Sequence, residues 1–490
     1  MDTSVDNEDE TGGLLKTMDL FIRIFVGSCL LLLTACTVGP DYVRPTPFET
    51  MPTTFKELQG WKVAQPQDDT ISEKWWEIYH DPILNSLEEQ VAISNLNVAV
   101  TEAQYRQARA LVQAAKAGNY PSLSVGASAT RAQTSANAIA GKSVSTTSSN
   151  FQLPLDLSWE LDLWGRIRRG VEASQASAQA SEADLAAATL SAQAALAGNY
   201  FQLRVVDAQK QLLDATTAVY RNSLDMTNNR YAAGIVAKSD VLQAETQLRS
   251  TEAQAIDLGV QRAQLEHAIA LLIGKPPAAF SLPVTTVTTT LPAIPVGLPS
   301  ELLERRSDIA SAERKMAAAN AQIGVAKAAY YPTVQLSATG GLSSSSIATW
   351  FAWPSRFWSV GPSASMSLFD GGLRNAQSDQ AKAAYDAAVA TYRETVLTAF
   401  QGVEDNLAAL RILDEETKVQ DQAVQAARQV VAIANNQYQA GTVAYLNVLV
   451  FQAVALSNET TALELIGRRL AASVLLVKAL GGGWKSKGPQ

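Results

Sequence analysis

The stretch FQLPLDLSWELDL, residues 151–163, alternates almost without fault. Phe151, Leu153, Leu155, Leu157, Trp159, Leu161 and Leu163 fall on one side of an extended chain, and Gln152, Asp156, Ser158, Glu160 and Asp162 on the other. Period two sustained over this length predicts a β-strand with two unlike faces. The strand is long for a soluble sheet edge, and its acids alternate with bulky apolar groups. That pattern suits lipid on one side and water on the other, with Asp156, Glu160 and Asp162 facing a water-filled lumen. Weaker alternation recurs at 121–130, 332–340 and 358–369. Trp350, Phe351, Trp353, Phe357 and Trp358 cluster beside the last two, as an interfacial girdle or as a packed loop.

Outward from these strands the chain turns helical. Proline is absent from 155 to 275 and again from 363 to 488. Both runs are rich in Ala, Gln and Glu, a strongly helical composition. Residues 165–232 are long enough for one helix of roughly 100 Å at 1.5 Å per residue. A break falls at YAAGIVAKSD, and a second helix runs to Gly274. The later run follows the same plan: a helix from about 373, a break at YQAGTVAYLN and a helix to about 480.

These halves read as a duplication. NRYAAGIVAKSDVLQAE (229–245) aligns with NQYQAGTVAYLNVLVFQ (436–452) at an offset of 207, and Gly274 and Gly481 share it. AKAGNYPSLSVGAS (115–128) matches AKAAYYPTVQLSAT (326–339) at an offset of 211. The expectation is two copies of one large unit rather than a solenoid of short repeats. Each copy supplies two strands, near 120–131 and 149–164 in the first, near 331–343 and 357–370 in the second. Four strands cannot close a barrel, and open edges are forbidden in lipid. Oligomerisation is therefore required. A trimer supplies twelve strands, although strand number alone does not separate three copies from four.

Bulk composition narrows the function classes. The chain has 490 residues and a formal net charge of −8, which argues against nucleic acid as a partner. Its two cysteines, Cys29 and Cys36, both lie in an N-terminal apolar segment, so no disulfide framework is available. Two histidines, His80 and His267, stand far apart, and no metal site is expected. No catalytic constellation, phosphate-binding glycine loop or cofactor motif stands out. The expected activity is therefore not enzymatic.

The N-terminal segment MDLFIRIFVGSCLLLLTAC (18–36) has one arginine, a short apolar core and small residues before cysteine. It reads as a signal peptide over 1–35, with Met18 an alternative start because MDTSVDNEDE is acidic. Leu33-Thr34-Ala35-Cys36 looks like a lipobox that makes Cys36 the acylated first residue of the mature protein. The competing reading, a membrane helix ending at a buried cysteine, suffers from the short apolar core.

Four further blocks carry a family resemblance: CTVGPDYVRP (36–45), KWWEIYHDPILNSLEEQ (74–90), LDLWGRIRRGVEAS (161–174) and LLERRSDIASAERKMAAANAQIGVAKAAYYP (302–332). They resemble outer-membrane efflux lipoproteins, the TolC-like components of tripartite pumps, in the NodT/OprM branch, over residues 36–484. Ser307 departs from the family's usual proline. The resemblance implies a mostly α protein with a membrane β-barrel: a homotrimer with a twelve-stranded barrel and a periplasmic α-barrel of twelve long helices. It implies an extended lipid-anchored segment at 36–80, a first repeat at 81–275, an equatorial linker at 276–300, a second repeat at 301–480 and a tail at 481–490. Thr37 after the cysteine permits sorting to the outer membrane.

By the same resemblance, the turns near 231–240 and 438–447 form a periplasmic tip that meets an adaptor and lines a constriction. Gly234 and Gly441 end its helices. Asp240 matches an acidic gate position, while Asn447 and Val450 stand where relatives carry aspartates. Tyr445, Leu446 and Val450 then suggest a more apolar closure. An ordinary first-turn acid at a helix N-terminus explains Asp240 equally well. The implied role is a passive duct for small molecules, driven by an inner-membrane pump of the resistance-nodulation-division type through a periplasmic adaptor. A type I protein-secretion duct and a lipid-anchored coiled-coil scaffold without channel activity are the alternatives. Replacing Cys36 by Ser is expected to abolish incorporation of labelled palmitate while the strands still insert, measured by heat-modifiable migration of the membrane fraction.

Overall fold

Long alanine-rich segments become helices because nothing within them interrupts the hydrogen-bond ladder until a glycine in the left-handed conformation does, as at Gly234, Gly274, Gly441 and Gly481. The computed structural model describes residues 37–47, 54–57, 74–135, 146–285, 291–292, 294 and 306–483. Cys36, the signal segment and most of the expected 276–300 linker lie outside the described residues. Chain order runs α1 (Pro82–Ser94), α2 (Leu96–Ala117), β1 (Ser122–Val125), β2 (Ser128–Thr134), β3 (Thr146–Leu161), α3 (Arg166–Ala232), α4 (Lys238–Leu272), α5 (Ser307–Ala328), β4 (Thr333–Ser344), β5 (Arg356–Ser365), α6 (Leu373–Gln439) and α7 (Tyr445–Ala479). Helices α3 and α6 each have 67 residues, and α4 and α7 each have 35. Ser307 does not delay its helix, since α5 starts at that residue.

The chain divides into two units. One comprises Met1–Pro45, Gln107–Ala178 and Arg314–Val389 and contains the sheet. Strand order is β1-β3-β4-β5, all antiparallel, with β2 also on β3. The single strand expected near 120–131 is two segments. Val125 pairs with Leu155 and Ser128 with Gln152, so one register runs through both. The gap falls opposite Pro154, which has no N–H to donate to the ladder. Pro154 also sets what stands beside it on β4: a Cβ on Gly341 would meet the Leu153 carbonyl oxygen at 2.2 Å. The fourth strand ends at Ser365 rather than near 370, leaving Leu368 and Phe369 87% and 90% exposed.

The second unit comprises Thr46–Arg106, Gln179–Glu313 and Ala390–Gln490. Its core gathers Trp75, Tyr79, Leu84 and Val91 with Leu196, Tyr200 and Leu203 of α3, Ile269 of α4, Leu407 of α6 and Val477 of α7. Asp81 caps α1 by accepting from the Ile83 and Leu84 N–H groups, and the Tyr200 hydroxyl donates to the same carboxylate. Buried Asp207 accepts from Arg204 and Arg262. Those two arginines donate onward to the Pro283 and Leu282 carbonyls, and Glu266 accepts the Leu282 N–H. A charge network thus ties the chain after α4 to the helices it has just left.

Glu88 is the exception to this pairing. It is fully buried on α1, and neither carboxylate oxygen has a hydrogen-bond partner among the described residues. Burial pushes its carboxyl up from 4.5 to about 9. Between those values the folded protein holds a proton that the unfolded chain has released, so stability falls as pH rises through this window. Glu88→Gln is expected to raise the melting temperature at pH 8 by several degrees. The gain should vanish as pH approaches 4.5, measured by thermal denaturation across pH.

Candidate functional site

Two regions carry the chemistry. The first is the sheet. On one face, Asp156 of β3 stands between Ser124 and Thr339, Ser158 between Ser122 and Ser337, and Glu160 beside Gln335. On the other, Leu155 stands between Val125 and Gly340, Leu157 between Leu123 and Ala338, and Trp159 beside Leu336. No helix of the described residues covers the apolar side at its edges. Leu123 is 64% exposed, Val125 71%, Trp358 79% and Val360 62%. A bare apolar face of this extent marks a surface that meets something other than water.

The polar face does not leave its acids free. Asp156 accepts from the Thr339 hydroxyl at 2.7 Å. Glu160 takes a two-pronged bond from Arg166 at 2.9 and 2.6 Å. Asp162 corrects the expectation, because it lies one residue beyond β3. Its oxygens accept from the Ile167 and Arg168 N–H groups and pair with the Arg168 side chain, so it caps α3. The turn after Leu161 carries it away from the strand's alternation. A cavity of about 620 Å³ opens along the same polar side, bordered by Ser122, Ser158, Glu160, Arg166 and Gln335.

The second region joins the helix turns. Helix α3 ends with Gly234 at φ 73°, its N–H bonded to the Tyr231 carbonyl and the Ile235 N–H to the Arg230 carbonyl. Helix α6 ends identically, with Gly441 at φ 74°, its N–H on Tyr438 and the Thr442 N–H on Gln437. This paired closure needs a left-handed residue, and glycine adopts that conformation without penalty. Asp240 sits half-buried in the first turn of α4, and Asn447 is exposed at the matching place in α7. The residues expected to share an apolar closure separate. Leu446 and Val450 are 52% and 50% exposed, and they line a groove of about 410 Å³ with Leu242 and Leu449. Tyr445 instead turns inward against Tyr438, ring centroids 5.2 Å apart, and burial pushes its hydroxyl up to about 12.

Arg230 is the residue that sequence reasoning missed. From the last turn of α3 it donates to the Tyr438 carbonyl at 2.9 Å and the Gln439 carbonyl at 3.4 Å, and it lies over the Tyr438 ring at 4.5 Å. It supplies a cation to the C-terminal carbonyls of α6, which helix geometry leaves open. Its place in a last helical turn was visible in NRYAAG. Its acceptors lie more than 200 residues away, and only folding brings them near.

Comparison with known proteins gives the family. The family model for outer membrane efflux proteins matches residues 87–275 and 298–482. The chain belongs to that family. A solvent efflux pump outer membrane protein of Pseudomonas putida, SrpC, is 33% identical over 462 residues, covering 93% of this chain and 97% of the relative. The pyoverdine export outer membrane protein OpmQ of Pseudomonas aeruginosa is 30% identical over 466 residues, covering 93% and 97%. Among solved structures, the outer-membrane channel OprN superposes with a TM-score of 0.86 at 32% identity, covering 92% of this chain and all of that one. This efflux protein is an outer-membrane channel component of a Gram-negative bacterium, and its bare sheet face is the part suited to the bilayer. Arg230→Ala is expected to speed amide exchange at Tyr438–Thr442 about tenfold, the size of a lost hydrogen bond to a charged group, measured by hydrogen–deuterium exchange.

Proposed function

We propose that three copies of this chain close their sheets into one twelve-stranded barrel and act as a passive duct for small molecules. The observation that carries this reading is a sheet with one bare apolar face and unpaired edges at β1/β2 and β5. Lipid tolerates such a face and rejects such edges, so each edge needs the opposite edge of another copy. Equal lengths of α3 and α6, and of α4 and α7, support the reading that the chain is a duplicated unit.

Lipidation at Cys36 supplies a second membrane anchor. The next residues are held by the sheet-bearing unit. Val38 N–H bonds to the Trp164 carbonyl, the Pro40 carbonyl accepts from Asn320, and Asp41 pairs with Arg169 at 2.7 Å. This strap fixes Val38–Asp41 against the junction where β3 passes into α3, which supports the reading that an acyl group two residues before Val38 enters the membrane surface.

The turns at Gly234 and Gly441 form the periplasmic gate, with Asp240, Leu446, Asn447 and Val450 at the constriction and Tyr445 bracing it from within. Lumen charge comes from Asp156 and Glu160, both softened by their partners, so weak cation preference is expected. A periplasmic adaptor and an inner-membrane pump open the tip and supply energy. Relatives named for solvent efflux and for pyoverdine export favour a duct whose cargo is chosen by its pump.

The test is mass and conductance of the purified protein. A trimer forming discrete channels in planar bilayers is expected, and a non-conducting monomer would sink the proposal. Asp240→Ala is expected to raise single-channel conductance, whereas unchanged conductance and drug susceptibility would remove Asp240 from the gate.

A further inference from the structure

Tyr438 is held on three sides. Arg230 covers its ring, Tyr445 packs at its edge, and its own helix carries its backbone. Its hydroxyl is the exception. The residue is 5% exposed, yet Oη has no hydrogen-bond partner among the described residues. A buried unpaired hydroxyl is costly, and native structures rarely keep one.

Beside it lies a small cavity of about 20 Å³, lined by Ser223, Met226, Asn435, Tyr438, Gln439 and Tyr445. A space of roughly 10–15 Å³ or more admits one water, provided two to four polar groups surround it. Here the lining residues carry three hydroxyls, of Ser223, Tyr438 and Tyr445, and two carboxamides, of Asn435 and Gln439. Met226 is the lone apolar member. No carboxylate borders the cavity, so nothing compensates a cation. Size and chemistry both match a neutral water molecule.

We infer that this cavity is a single-water site, and that the water bridges Tyr438 Oη to polar side chains of α3 and α6. The bound water completes the joint among the ends of α3 and α6 and the start of α7. Arg230 fixes the carbonyl side of that joint, and the water fixes the hydroxyl side. Both links are to groups that solvent can replace, so the joint is firm when closed and separates without stranding a buried polar atom. The site is defined by the joint itself and does not depend on the gating role proposed above.

The test uses the intact protein and Tyr438→Phe. A crystal structure that resolves ordered water should show one peak within hydrogen-bond distance of Tyr438 Oη, absent from the Phe variant. Amides of residues 440–444 should exchange about fivefold faster in Tyr438→Phe, the size of one net hydrogen bond. An empty cavity in the native protein, or Oη bonded directly to a protein atom, overturns the inference. Equal or slower exchange in the variant also overturns it, because the water would then contribute nothing to the joint. Neither readout requires the channel to conduct, so failure of the gating proposal is seen separately.

Discussion

Backbone hydrogen bonding in lipid is the constraint on which the rest of the structure depends. A sheet whose apolar face is bare has a natural place in a bilayer, but its edge N–H and C=O groups do not. Within one chain, β3 and β4 are satisfied on both sides, while β5 and the β1/β2 segments have an open side. The proposed trimer gives each open edge a partner. Pro154 makes the point locally: where one strand lacks a donor, its neighbour breaks into two segments and glycine stands on the other side.

The helices answer a different demand. They keep their backbone groups satisfied internally and meet the problem only at their ends. Asp162 and Asp370 supply acceptors where chain enters α3 and α6, and Arg374 beside Asp370 holds that carboxyl below its ordinary range. Glycines close the far ends with paired backbone bonds, and Arg230 donates to the carbonyls at the end of α6. The turn region is consequently built from capping interactions rather than from a large core. Its hydrophobic cluster is small, centred on Tyr438, Tyr445 and Val448.

Much of this is legible in the sequence alone. Alternation at 151–163 placed β3, and the proline-free runs placed the four long helices to within a few residues. Gly234 and Gly441 were recognisable as helix-ending residues, because a tyrosine three positions earlier and a fresh helical pattern after each left little else for them to do. The candidate site was less legible. Asp162 looked like a strand residue because its alternation continued past the strand's end. Tyr445, Leu446 and Val450 looked alike because all are large and adjoin the same turn, yet a helix start sends residues 445 and 446 to different sides.

Sequence by itself determined the local periods, the helix boundaries and the unlike faces of the strands, since these rest on neighbours within a few residues. It also carried the family resemblance, in blocks long enough to stand alone. Only the tertiary structure decided which acids are paired, which face of α7 turns inward and what lies against the end of α6. Those outcomes depend on groups far apart in the chain, as Arg230 and Tyr438 are, and hydrogen bonds between them exist only once packing has brought carbonyl and guanidinium within about 3 Å.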